Sequence, residues 1–175
     1  VAMLLEIDTT LPLTVHGAFR PRLRPMWPAG AMTPYTAWDQ AAGAYVITEE
    51  SGRFAAVVGS PGARDVSLMP YQEEPRDVPI AFVREIAPEE ARKVVLPIVI
   101  AGSVEGRAAA LAAYGRLLEN LSGLYERTTA HYRSLLARTT DIDTPDDRLD
   151  EAFRWAKVGI DKGFVDNPWL GRGLV

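Results

Sequence analysis

The sequence predicts an α+β protein in several parts: a partial antiparallel β-sandwich, a long linker helix, then a second helix with a glycine-rich tail. Three observations predict it. Up to residue 102, short apolar runs alternate with turn formers about every eight to twelve residues, the rhythm of a sandwich. Beyond it, Leu111, Tyr114, Leu118, Leu121, Tyr125, Thr128 (half apolar), Tyr132 and Leu135 recur at alternating steps of three and four, which is one helical seam. Thr144-Pro145-Asp146-Asp147 then supplies the start chemistry of another helix. The implied divisions are 1–102, 103–143 and 144–175.

Residues 3–8 form an apolar run ending in polar turn formers and read as a strand. In 13–20, Leu13, Val15, Gly17 and Phe19 share one face, and Thr14, His16, Ala18 and Arg20 the other. AYVIT (44–48) and FAAVVG (54–59) read as a hairpin around Glu49-Glu50-Ser51-Gly52-Arg53. DVSLM (65–69) is a short strand, YQEEPRD (71–77) a charged loop, and 79–86 and 92–100 two further strands. Pro97 places the last at an edge or a bulge.

Ser103 is the expected cap of the long helix, with Glu105 in its first turn. Run through to Arg138, this helix would measure roughly 50 Å. Gly106, Gly115 and Gly123 each weaken an isolated helix by about 1 kcal/mol, so the seam calls for tertiary cover, on the rest of the chain or on a second copy. Thr144 is the expected cap of the next helix, Leu149, Phe153, Ala156 and Ile160 its buried stripe, and Gly163 its left-handed end.

Composition excludes several classes of function. Hydrophobic content of 47% with 24% charged residues suits a soluble globular protein. A net charge of −4 and a pI near 5.2 argue against a nucleic-acid surface. The absence of cysteine removes disulfides, thiolate metal sites and thiol nucleophiles. With two histidines, His16 and His131, no metal site is expected, and no motif implies a cofactor. No apolar run approaches the ~20 residues of a membrane span, so no membrane partner is expected. The chain starts inside a strand-like run and stops in a run of small and apolar residues, which reads as a piece of a longer polypeptide, expected in the cytoplasm.

Two stretches present aromatic groups beside polar ones. Leu23-Arg24-Pro25-Met26-Trp27-Pro28-Ala29-Gly30 is an extended loop bracketed by prolines. Tyr35, Trp38 and Asp39 follow in what reads as a second loop. An indole beside a carboxylate suits a sugar, whose apolar face stacks on the ring while its hydroxyls bond the acid. The competing role is an indole closing the end of the sandwich. Near the C-terminus, Asp166, Asn167, Trp169 and Arg172 gather on a loop interrupted by Gly171 and Gly173. Gly171-x-Gly173 lacks the preceding strand and following helix of a nucleotide site.

RPMWPAG (24–30), GSPGA (59–63) and above all TPDDRLDEAFRWAKVGIDKGFVDNPWLGRGLV (144–175) resemble bacterial amylo-α-1,6-glucosidase or glycogen-debranching-type proteins, which are six-hairpin glycosidases. The resemblance covers most of the chain and is most specific in 144–175. It implies the end of an N-terminal β-sandwich, a linker helix and the first helix of an (α/α)6 barrel. It implies an oligo- or polysaccharide substrate, α-glucan hydrolysis, and a catalytic carboxylate pair beyond Val175, so that Asp161 and Asp166 are not that pair. An inverting pair would stand about 6.5–9.5 Å apart. Asn167, Trp169 and Arg172 become substrate-side candidates, with Trp38 and Asp39 reaching the same cleft from the sandwich. The isolated chain is expected to be inactive and to self-associate through surface meant for the rest of the barrel. The alternative is a non-enzymatic carbohydrate-binding module with a helical assembly arm.

Overall fold

The computed structural model describes residues 1–21, 33–67, 79–88, 93–167 and 171–174. The chain forms two compact units, Val1–Leu121 and Ser122–Val175. It is a mixed α+β structure with antiparallel sheets and, among the described residues, three helices.

The first unit contains β1 (Ala2–Ile7), β2 (Leu13–Phe19), β3 (Tyr35–Asp39), β4 (Ala44–Thr48), β5 (Ala55–Gly59), β6 (Arg64–Asp65), β7 (Ile80–Ile86), β8 (Val94–Ser103) and α1 (Arg107–Glu119). Five strands pair in the order β1-β8-β5-β4-β3, and three in the order β2-β7-β6. The five-stranded sheet is the middle layer. On one face, Ala44, Val46, Ala55, Val57, Val99 and Ala101 pack against Ala110 and Tyr114 of α1. On the other, Tyr45 packs with Phe82 and Phe19, and Leu96 with Ile86 and Val15 of the smaller sheet. Successive residues of a strand point to opposite faces, so a strand covered on both sides needs apolar residues throughout. That is why AYVIT carries no exposed residue. Each fully buried Val or Ile contributes about 1.5–3 kcal/mol here.

Several expectations change. Tyr35, Trp38 and Asp39 do not sit in a loop; they form edge strand β3, paired along β4 from Tyr35 opposite Thr48 to Asp39 opposite Ala44. The strand expected over 65–69 is Arg64–Asp65, and 68–69 lie outside the described residues. Pro97 occurs in an interior strand. Ile100 exchanges both backbone bonds with Val1 on the β1 side, so Pro97, an odd number of residues away, turns its nitrogen toward β5. The β5 ladder ends at Gly59 opposite Val99, so no bond is lost there.

The linker does not run as one helix. At Asn120, φ −131° and ψ 36° leave the helical region, and α2 (Leu121–Arg138) starts anew. Asn competes for backbone hydrogen bonds and favours such breaks. Ser103 ends β8 rather than capping α1, and its hydroxyl accepts the Glu105 amide at 3.0 Å. The residue before α1 is Gly106, with φ 85°; a Cβ there would lie 2.8 Å from the Gly52 carbonyl oxygen. The Gly106 amide donates to the Arg53 carbonyl at 2.8 Å, tying the helix start to the β4–β5 hairpin.

The second unit holds most of α2, then α3 (Asp147–Lys162), β9 (Phe164–Asn167) and β10 (Gly171–Leu174). Asp146, not Thr144, caps α3, its carboxylate accepting the Arg148 amide. Gly163 stays right-handed at φ −75°. The tail expected as a loop is an antiparallel hairpin, with Gly171 opposite Asn167 and Leu174 opposite Phe164. The expected stripe of α3 is not its buried face. Leu149 is 53% and Ile160 61% exposed, and Ala156 is exposed too. Asp150 and Val158 are the buried residues. Asp150 accepts the Thr144 amide at 3.1 Å and its hydroxyl at 2.9 Å, Lys157 donates to the Thr140 carbonyl at 2.7 Å, and Asp161 meets His131 at 2.7 Å. Polar bonds to the connector and to α2 orient the helix, and its apolar sector faces solvent. Among the described residues, no helix is long and apolar enough to cross a membrane.

Candidate functional site

Trp38 and Asp39 lie on β3, where the chain turns into β4. The Trp38 ring meets Tyr45 edge to face, centroids 4.9 Å apart, and joins the apolar cluster around Phe82. Its indole N–H donates to the Gln40 side-chain oxygen at 3.1 Å. Asp39 is committed on both oxygens: Oδ1 accepts the Ala42 amide at 3.1 Å, and Oδ2 accepts Arg107 Nη2 at 2.8 Å. The pair thus shapes the β3–β4 turn and fixes it to the first turn of α1.

In the second unit, Arg172 pairs by its backbone with Asp166, and its guanidinium lies 5.4 Å from the centre of the Phe164 ring. Asn167 pairs with Gly171 through the backbone. Trp169 lies outside the described residues, as does RPMWPAG. Of the five expected residues, Trp38 and Asp39 therefore lie on β3 of the first unit, and Asn167 and Arg172 on β9 and β10 of the second.

The β3–β4 turn also forms one wall of a groove of about 690 Å³. Gln40, Ala42 and Gly43 line this side, Pro61 and Arg64 the β5–β6 side, and Leu111, Tyr114, Gly115 and Leu118 of α1 the floor. The two turns are joined by the Ser60 amide donating to the Gly43 carbonyl at 3.4 Å. An ideal Cβ on Gly115 would meet nothing within 4 Å, so this glycine leaves a gap in the helical surface. Arg64 is paired with Glu85 at 2.6 Å. Tyr114 is 2% exposed and burial pushes its phenol up to about 12. Its hydroxyl has no hydrogen-bond partner among the described residues.

Sequence reasoning missed Gln40, Arg64, Tyr114 and Gly115 as a set. One signal was present: Gly115 interrupts the seam between Leu111 and Leu118, where a side chain would otherwise fill the surface. Elsewhere the carboxylates do structural work. Glu49 accepts the Ser51 hydroxyl at 2.6 Å and the amides of Phe54, Ser51 and Arg53 at 2.8–3.0 Å. The Ser51 hydroxyl first, then these amides, hold its pKa down at about 2. Asp65 and Ser67 bond the Tyr45 hydroxyl, which also donates to the Ala81 carbonyl at 3.1 Å. Burial, and then the Asp65 contact, push that phenol up to about 12. Among the described residues, no group of three or more His, Asp or Glu side chains could hold a metal ion. No family model, curated protein or solved structure matches this chain.

Proposed function

We propose that the chain is the non-catalytic front part of a glycoside hydrolase acting on α-glucans, of the glycogen-debranching or amylo-α-1,6-glucosidase type. Its carboxylate pair is supplied by polypeptide beyond Val175. The observation that carries the reading is the orientation of α3. A helix that buries Asp150 and Val158, half-buries Lys157, and presents Leu149, Ala152, Trp155, Ala156 and Ile160 outward is built for apolar neighbours. The first helix of an (α/α)6 barrel has such neighbours. The β9–β10 hairpin that follows then brings Asn167 and Arg172 to the sugar cleft, with Trp169 between them in sequence as a further substrate-side residue. The resemblance of 144–175 points the same way.

The experiment is an assay of the longer polypeptide against maltooligosaccharides and α-1,6-branched glucans, with this chain alone in parallel. Turnover by the first and none by the second is expected. Turnover by this chain, lost on substitution of one of its own acids, would overturn the placement of catalysis beyond Val175. A second reading, a carbohydrate-binding module with a helical arm, draws support from the preformed groove of the first unit. It predicts sugar binding with no hydrolysis by either polypeptide.

A further inference from the structure

We propose that the groove between the β3–β4 turn, the β5–β6 turn and α1, formed wholly by residues of the first unit, binds one or two neutral hexose units. The identity of the sugar as an α-glucan rests on the function proposed above. The groove's chemistry stands apart from it. A volume of about 690 Å³ falls within the range of small-ligand sites, roughly 300–1,000 Å³. Pro61, Leu111 and Leu118 offer apolar surface to the C–H face of a pyranose. The Gln40 oxygen is taken by the Trp38 indole, which leaves the amide NH2 to donate, and Arg64 offers the nitrogens not bonded to Glu85.

Charge selects the ligand class. Among the described residues no carboxylate lines the groove, so a cation finds no counter-charge in that lining. The guanidinium of Arg64 is already neutralised by Glu85 at 2.6 Å, so an anion gains little over a hydroxyl. A neutral polyhydroxylated ring matches both the donors and the apolar floor. The walls are preorganised by bonds already described: Asp39 to Ala42, Ser60 to Gly43, and Asp39 to Arg107. Little ordering is left for the ligand to impose. Gly115 keeps the space open, because any side chain there would project into it unopposed.

The test is a titration of the 175-residue chain with maltotriose, followed by amide NMR, with inorganic phosphate as the comparison. Millimolar maltotriose should shift the amides of Gln40, Ala42, Gly43, Gly62, Arg64 and Gly115, and phosphate should not. Gly115→Leu should weaken binding at least about tenfold with an equal or higher Tm, since leucine favours helix over glycine. Gln40→Ala, on an exposed residue, should weaken it without filling the groove. Silent amides, a response to phosphate alone, or unchanged binding in both variants would overturn the proposal. If the longer polypeptide hydrolyses glucans while these amides stay silent, the groove proposal alone fails. If the amides respond and no hydrolysis is found, the groove stands and the hydrolase reading fails.

Discussion

Asp39 and Arg107, 68 positions apart in the chain, meet at 2.8 Å, and the other Asp39 oxygen holds the Ala42 amide at 3.1 Å. One carboxylate therefore fixes a turn of the middle sheet to the start of the helix that covers it. The two bonds separate by substitution. Asp39→Asn keeps an acceptor for the turn and loses the charge pair, which is partly exposed, so the cost should be about 0.5–1 kcal/mol. Asp39→Ala loses both and should cost about 1–2 kcal/mol. Urea denaturation of the two variants measures the difference. Equal costs would show that the charge pair, not the turn bond, carries the whole effect.

Gly17 lies opposite Phe82 in the β2–β7 ladder, and a Cβ on it would sit 2.4 Å from the ring. Phe82 is 2% exposed, packed with Tyr45 and Phe19, and cannot swing away. Gly17→Ala should therefore destabilise by about 1–3 kcal/mol through overpacking. Adding Phe82→Leu should make the alanine nearly harmless, at the separate cost of the lost ring. Additive costs in the double variant would mean that the contact is not the cause.

The Glu49 carboxylate sets the acid limit of the β4–β5 hairpin. Its pKa falls from the ordinary 4.5 to about 2, with the Ser51 hydroxyl as the largest cause. The native state thus binds this proton less readily than the unfolded chain. Its stabilising effect is complete above about 4.5 and is lost as pH drops toward 2. Tm measured against pH should fall through this window, and Glu49→Gln should flatten that part of the curve while lowering Tm at neutral pH. A variant with the same acid slope as the parent would assign that slope to other carboxylates.

The middle sheet was legible in the sequence because β4 and β5 are covered on both faces, which forces runs such as AYVIT. The edge strand β3 was not. Tyr35, Thr36 and Ala37 are exposed and need no apolar period, so the segment reads as loop. The helix break at Asn120 leaves the three-four rhythm of the seam intact on both sides, and periodicity cannot register one residue that leaves the helical region. The Trp38–Asp39 pair was visible as chemistry, but the Arg107 and Gln40 bonds join residues that only the fold brings together. The groove's walls come from two turns and a helix far apart in the chain, so Gly115 was its one local trace.

The final prediction concerns the orientation of α3. An apolar stripe at helical spacing usually marks the buried face. Here Leu149 and Ile160 are more than half exposed, and Asp150, at 7% exposure, bonds the amide and hydroxyl of Thr144. The usual ranking of substitutions should then reverse in this chain. Asp150→Ala leaves the Thr144 groups without their acceptor and should cost about 1–3 kcal/mol. Leu149→Ala and Ile160→Ala should stay within about 0.5 kcal/mol, as surface changes do. If the proposed function holds and a longer polypeptide sets a helical neighbour over this sector, the same two alanine variants should each cost about 2–5 kcal/mol there. Thermal or urea unfolding of both polypeptides supplies the comparison. Large costs at Leu149 and Ile160 in the short chain would mean that the stripe already packs inward. Small costs in the long one would remove the barrel neighbour from the proposed function.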